Sequence, residues 1–208
     1  MKTKDDITLA ALQIGIAVPF LYFGTQLIAA PFFPGYSFLS MPASLLGSNQ
    51  AIYPAIFNAG AIITGIVTLI ASVGFLRALQ QLKANQILAW LTTIAIALNG
   101  LGSLWAGFIP LPDPRHGSNP FAAGIFLLPA LFAVTLWKRS DARSLKIYLV
   151  ITNLLFFALI PVMSGIAGID TRTYQGLLQR VAALVFFPPI GVAAYFLAKR
   201  IKPSLAVS

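Results

Sequence analysis

Charge is what this sequence has least of. Of its 208 residues, 9% are charged and 58% are hydrophobic. A water-soluble domain carries roughly 25% charged residues, so the chain lacks the polar surface that a soluble fold turns toward water. Cysteine is absent altogether. That excludes disulfides, thiolate catalysis, iron–sulfur ligation and cysteine-based zinc sites together. There is a single histidine, His116. One imidazole without thiolates does not make a usual zinc site, so neither a metal nor a cofactor is expected. No aspartate or glutamate lies inside an apolar run. Ion- and proton-coupled carriers usually keep such groups near the midplane, so their absence argues against a proton-driven pump or a cation carrier.

What is present is hydrocarbon in long runs, with a mean hydropathy of +0.86. Runs near 20 apolar residues cross a membrane as helices rather than as barrel strands. The fold class expected is therefore an all-α integral membrane bundle of six transmembrane helices. Charged and proline/glycine punctuation places them at about 7–30, 54–78, 86–109, 120–138, 145–165 and 174–199 within a single domain, 1–208. The first run follows two lysines, as a secretory signal would. It continues to Ala30 with Pro31 directly behind it, a poor cleavage context, so it is read as an uncleaved span.

The flanking charges alternate. Lys2, Lys4, Arg77, Lys83, Lys138, Arg139, Arg143, Lys146, Lys199, Arg200 and Lys202 fall on one side, eleven of the fourteen basic residues. Arg115 and Arg172 fall on the other, with Arg180 just inside the last span. The positive-inside rule then puts both termini in the cytoplasm, and the expected location is an inner (plasma) membrane. The net charge of +9 is a topology signal, not a nucleic-acid surface. The external stretch 31–53 is uncharged and aromatic. It is expected to lie at the interface as a lid, with Phe32, Phe33, Tyr36 and Phe38 at headgroup level and Ser40 capping a short helix that ends at Gly47.

Polar residues inside the spans are the binding candidates. Asn99 and Ser103 lie four apart on one helical face, as do Tyr22 and Gln26. Asn58 sits near the outer end of the second span, and Gln175, Gln179 and Arg180 at the outer end of the sixth. With Arg115 and His116 they are expected to line an outward-facing cavity for a membrane lipid or other amphiphile. The competing reading is that such groups only join helices, at about 0.6 kcal/mol each. Arg180 is expected to snorkel to the headgroups, with a lipid phosphate or Asp170 as partner. Pro19, Pro129, Pro161, Pro188 and Pro189 are expected to kink their spans. Small residues at helical spacing (Ala61/Gly65, Ala194/Ala198) permit close approach of helices, in this chain, in a homo-oligomer or in a larger membrane complex.

The stretch "FIPLPDPRHGSNPF", residues 108–121, is the polar exception. Its prolines stiffen the exit from the third span, and Asn119-Pro120 is a helix-start signal. Asp113, Arg115 and His116 are left unexplained by that turn grammar. A catalytic alternative uses His116 as base, oriented by Asp113, with Ser103 or Ser44 as nucleophile in a lipid-directed hydrolase or transferase. No nucleophile-elbow context accompanies these residues. A third alternative is an accessory subunit.

"PGYSFLSMPASLLGSNQAIYPAIFNAGAIITG", with "FIPLPDPRH" after the third span, resembles the bacterial six-span family known as domain of unknown function 998. That family is distantly similar to eukaryotic six-span proteins of the Frag1/DRAM/Sfk1 type. The resemblance marks Pro34, Gly35, Tyr36, Ser44, Gly47, Phe57, Asn58, Gly60, Asp113 and His116. Leu45 stands where the family pattern has an acidic residue, and the spacing from Asp113 to His116 is short.

Overall fold

The computed structural model describes residues 3–121 and 126–201. The described residues form helices joined by turns and irregular segments, without strands. The first span is broken in two, α1 (Lys4–Ile16) and α2 (Val18–Ala29). Thr3 and Asp6 form a reciprocal cap at its start, which satisfies orphan backbone donors. Then follow α3 (Pro54–Gln81), α4 (Gln86–Phe108), α5 (Leu128–Thr135), α6 (Arg143–Met163), α7 (Gln175–Phe186) and α8 (Pro188–Ala198). Among the described residues, five stretches are long and apolar enough to cross a membrane: Lys4–Phe32, Pro54–Gln81, Gln86–Phe108, Ser140–Met163 and Arg172–Ala198.

The expected span 120–138 is the exception. Its described helix, α5, has 8 residues, about 12 Å at 1.5 Å per residue. Residues 122–125 lie outside the described set. The helix expected to start at Asn119-Pro120 falls on those residues. The Asn119 side chain accepts from Phe121 N at 3.0 Å and donates to Gly102 O at 3.2 Å, which ties this turn to α4.

Prolines interrupt the first and last spans for one residue each. Pro19 lacks the N–H that would continue the ladder, and α1 ends at Ile16 with Ala17 between it and α2. Pro188 and Pro189 do the same behind Phe187, which ends α7 and opens α8. The two breaks are neighbours. A Cβ on Gly191 would lie 2.8 Å from Pro19 Cγ, and the Tyr22 and Phe187 rings stack with centroids 3.8 Å apart.

Small residues set the packing around them. A Cβ on Gly15 would meet Ala71 Cβ at 3.0 Å and Ala194 Cβ at 3.2 Å, which joins α1, α3 and α8. Phe75 and Phe132 meet edge to face at 5.1 Å in the fully buried core with Leu12, Ile190 and Leu197. The outer surface is apolar: Ile63, Ile66, Ile70 and Val73 on α3, Ile87, Trp90, Leu91 and Ile94 on α4, and Ile147, Ile151 and Leu154 on α6 are all exposed. Helical stripes of that kind suit lipid and not water.

Most of the charge gathers at one end. Gln81 donates to Asp5 at 2.9 Å, and Thr135 donates to Leu88 O at 3.3 Å. Asp141 accepts from Arg139 at 3.0 Å and from Arg200 at 2.7 Å. The Arg139 and Arg200 hydrogen bonds hold the Asp141 carboxyl down at about 2. Because the folded value lies below the ordinary 3.8, this tether is present above about pH 5 and is lost as pH falls toward 2. The melting temperature of Asp141→Asn is expected below that of the wild type at neutral pH, with the gap closing on acidification.

Candidate functional site

The opposite end carries the segment 33–53 and the turn 109–121. Segment 33–53 packs on the bundle. Phe33 is 7% exposed and Leu46 fully buried, together with Ala43, Ala51 and Phe57. Its 3-10 turn, Ala43–Gly47, starts behind Pro42 without a side-chain cap. Ser40 therefore does not cap it, although the turn does end at Gly47.

Arg180 holds this segment down. Its guanidinium donates to Phe38 O at 2.8 Å, Met41 O at 3.1 Å, Gly176 O at 2.8 Å and Tyr36 Oη at 2.5 Å. It also lies over the Phe38 ring at 4.7 Å. Gly176, one turn earlier on the same face, has no Cβ to keep Met41 O and Phe38 O away. Burial pushes the Tyr36 hydroxyl up against the opposing pull of Arg180. Leu177 N donates to Leu39 O and Ala43 N to Gln179 Oε1, so α7 grips residues 36–43 along its first two turns. The expected partners of Arg180 are replaced by backbone: Asp170 accepts from Arg172 N instead.

Asn58 has a similar task on α3. Its Nδ2 donates to Gly47 O at 3.0 Å, and a Cβ on Gly47 would collide with Asn58 Oδ1. Asp113 caps the turn Pro114–Ser118 and is bound by the Arg115 guanidinium at 2.6 Å. The Arg115 hydrogen bonds hold the Asp113 carboxyl down at about 2. The carboxylate therefore faces arginine, not histidine. His116 Nδ1 meets Ile109 O at 2.6 Å. A carbonyl only accepts, so Nδ1 carries the proton, and Nε2 of the neutral ring is an acceptor. The Asp113–His116 pair of the catalytic alternative is not assembled.

Below this cover lies a cavity of about 370 Å³. Three helices build it by one device. Phe57, Gly60, Ala61 and Thr64 on α3, Asn99, Gly102, Ser103 and Ala106 on α4, and Gln179, Ala182, Ala183 and Phe186 on α7 line it. Each set follows the i, i+3, i+4, i+7 spacing of one helical face, and each has two small residues in the middle. Side chains that short leave space between the helices, part of which Thr25 of α2 takes against Gly60. Tyr22 and Thr25 of α2, Ser44, His116, Asn119 and the tip of α6 at Met163 complete the wall.

The expected site residues thus divide. Asn99, Ser103 and His116 come together on the cavity. Asn58, Arg115 and Arg180 do not line it; they hold its cover and rim. Asn153 donates to Phe126 O at 3.2 Å and does not line the cavity. Thr25, Thr64 and Met163 escaped the sequence reading, although the spacing of Thr64 from Phe57, Gly60 and Ala61 was a usable signal. Several polar wall groups have partners: Thr64 donates to Gly60 O at 2.7 Å, and Gln179 Oε1 accepts from Ala43 N at 2.6 Å. Asn99 is different. It is 2% exposed, and neither Nδ2 nor Oδ1 has a hydrogen-bond partner.

An apolar exterior, five membrane-length helices and a polar-lined cavity beneath a packed cover define a multi-pass α-helical membrane protein. The chain belongs to the family described as protein of unknown function (DUF998), which it matches over residues 16–195. No curated protein and no solved structure matches it.

Proposed function

We propose that this protein binds a lipid or other amphiphile in the cavity, from the outer side of a bacterial inner membrane that it crosses six times with both termini cytoplasmic. The crossing beyond the five membrane-length stretches is assigned to residues 120–138. It is supported by the path of the chain, because α4 runs from its cap Asn85 to Phe108 at the opposite end while Thr135 returns to touch Leu88. The orientation is supported by the basic residues gathered at that same end.

The binding reading is carried by Asn99. A buried amide without partners destabilises a fold by about 1–3 kcal/mol, and such a group persists where a ligand completes it. Helix-joining asparagines, by contrast, keep a partner through their NH₂, as Asn58 and Asn153 do. Asn58 Oδ1 is left without one, but among the described residues only Asn99 lacks a partner at both ends of its amide. The two readings predict opposite results for Asn99→Leu. If a ligand completes the amide, leucine removes an unpaired group and raises the stability of ligand-free protein by about 1 kcal/mol. The amphiphile found by mass spectrometry in purified wild-type protein is then missing from the variant. A destabilised variant that keeps its copurified lipid would refute the proposal.

A further inference from the structure

The chemistry of the cavity wall narrows the ligand class. Among the described residues, the lining contains no Asp, Glu, Lys or Arg. Arg115 is paired with Asp113. Arg180 lies outside the lining with Nη1 and Nη2 bound to the cover, although no carboxylate neutralises it and its Nε has no partner. An anionic head would find no cation in the wall itself to pair with, and a buried ion without a direct partner is penalised by several kcal/mol. An ammonium head meets the same difficulty. Asp113 is neutralised by Arg115, and Asp170 is held on its own loop by Arg172 N.

The polar groups that are left both donate and accept. Asn99 offers an unpartnered NH₂ and an unpartnered carbonyl oxygen. Ser103, one turn further along α4, brings a hydroxyl to the same wall. His116 Nε2 accepts, since Nδ1 donates to Ile109 O. A hydroxyl head satisfies such a set, because an alcohol gives one hydrogen bond and receives others. A head that only accepts leaves Asn99 Oδ1 and His116 Nε2 unpaired. Phe57, Phe186, Phe187, Ala182 and Ala183 provide the apolar remainder. At about 370 Å³, the cavity lies near the lower limit of small-molecule sites, roughly 300–1,000 Å³. It has room for a head and part of one chain.

We infer that the cavity selects an uncharged, hydroxyl-headed, single-chain amphiphile and rejects the phosphorylated amphiphile bearing the same chain. This rests on the amphiphile-binding reading of the same cavity and adds to it the charge and valence of the head. The full-length protein in phosphatidylcholine nanodiscs, free of hydroxyl-rich detergent, provides the test. A photoreactive 1-monoacylglycerol is crosslinked in the presence of rising 1-monooleoylglycerol or rising 1-oleoyl-lysophosphatidate. The expected result is saturable crosslinking on α3, α4 and α7, displaced by the glyceride at concentrations at least about tenfold below the phosphate. Both Asn99→Leu, which removes the polar contact, and Ala61→Leu, which fills the space, should abolish the saturable component while melting as folded protein. Displacement by the phosphate at equal or lower concentration overturns the selectivity and leaves amphiphile binding standing. Saturable crosslinking that survives in Asn99→Leu overturns the role given to the amide. Absence of any saturable crosslink removes both readings.

Discussion

Arg180→Leu is expected to destabilise the protein by about 3 kcal/mol and to release residues 36–43 from α7. The size follows from what the guanidinium does. It satisfies Phe38 O, Met41 O, Gly176 O and Tyr36 Oη at once, and hydrogen bonds to a charged group contribute about 1.5–3 kcal/mol each, less than additively. Leucine fills the space but leaves these acceptors unpaired against an apolar wall, where the penalty is the desolvation of each one. Arg180→Lys keeps the charge without the planar fork, and about half the loss is expected. Denaturant titration reads the stability, and chymotrypsin cleavage after Tyr36 or Phe38 reads the release. Because Ala43 and Ser44 of the cover line the cavity, its closure depends on the same arginine. Unchanged cleavage with stability within about 0.5 kcal/mol of wild type would show that the cover is held by other contacts.

Gly65→Ala, a change of one methyl group, is expected to cost about 3 kcal/mol. At Gly65 the backbones of α3 and α4 touch. An added Cβ would lie 2.7 Å from Gly100 O and 2.7 Å from Leu104 Cγ. A rotamer change moves the leucine but not the carbonyl, so the helices must separate. Gly107 repeats the contact two turns along, against Ile62 Cγ1 at 2.6 Å and Asn58 O at 2.7 Å. The seam therefore resists separation as a whole, in the manner of small-residue interfaces in membranes. Ala61 and Thr64 on one side of it and Asn99 and Ser103 on the other line the cavity, so bound amphiphile should be lost along with stability. Gly24→Ala is the control, since nothing lies within 4 Å of a Cβ there. Equal melting of the two variants would contradict the close seam.

These contacts show which parts of the fold could be read from the residues alone. Hydropathy and charge located the long helices, because apolar length and flanking cations act locally along the chain. Proline located the breaks at Ala17 and Phe187, since a missing N–H is a property of one residue. The fates of Arg180 and Asn58 were not legible. Their partners are main-chain carbonyls more than a hundred residues away for Arg180 and in the turn at Gly47 for Asn58, and a carbonyl leaves no mark in a sequence. Asn99 and Ser103 were correctly put on one face, but the space in front of them was not apparent. That space comes from Gly60/Ala61, Gly102/Ser103 and Ala182/Ala183 facing one another, and it became visible only once α3, α4 and α7 were brought together. The polar turn at 113–116 looked like one cluster in the sequence. In the fold it separates into an Asp113–Arg115 rim pair and a His116 turned to Ile109 O.

The absence of cysteine makes the central claim directly measurable. Ser103→Cys puts the chain's single thiol in the wall of the cavity, four residues from Asn99. The alkylation rate of that thiol by a small maleimide is measured in phosphatidylcholine nanodiscs, with and without 1-monooleoylglycerol. If the cavity is the amphiphile site, the glyceride slows labelling at Ser103→Cys by about tenfold or more and leaves an exposed Gly117→Cys control unaffected. Labelling of Ser103→Cys at the same rate with and without the amphiphile would contradict it.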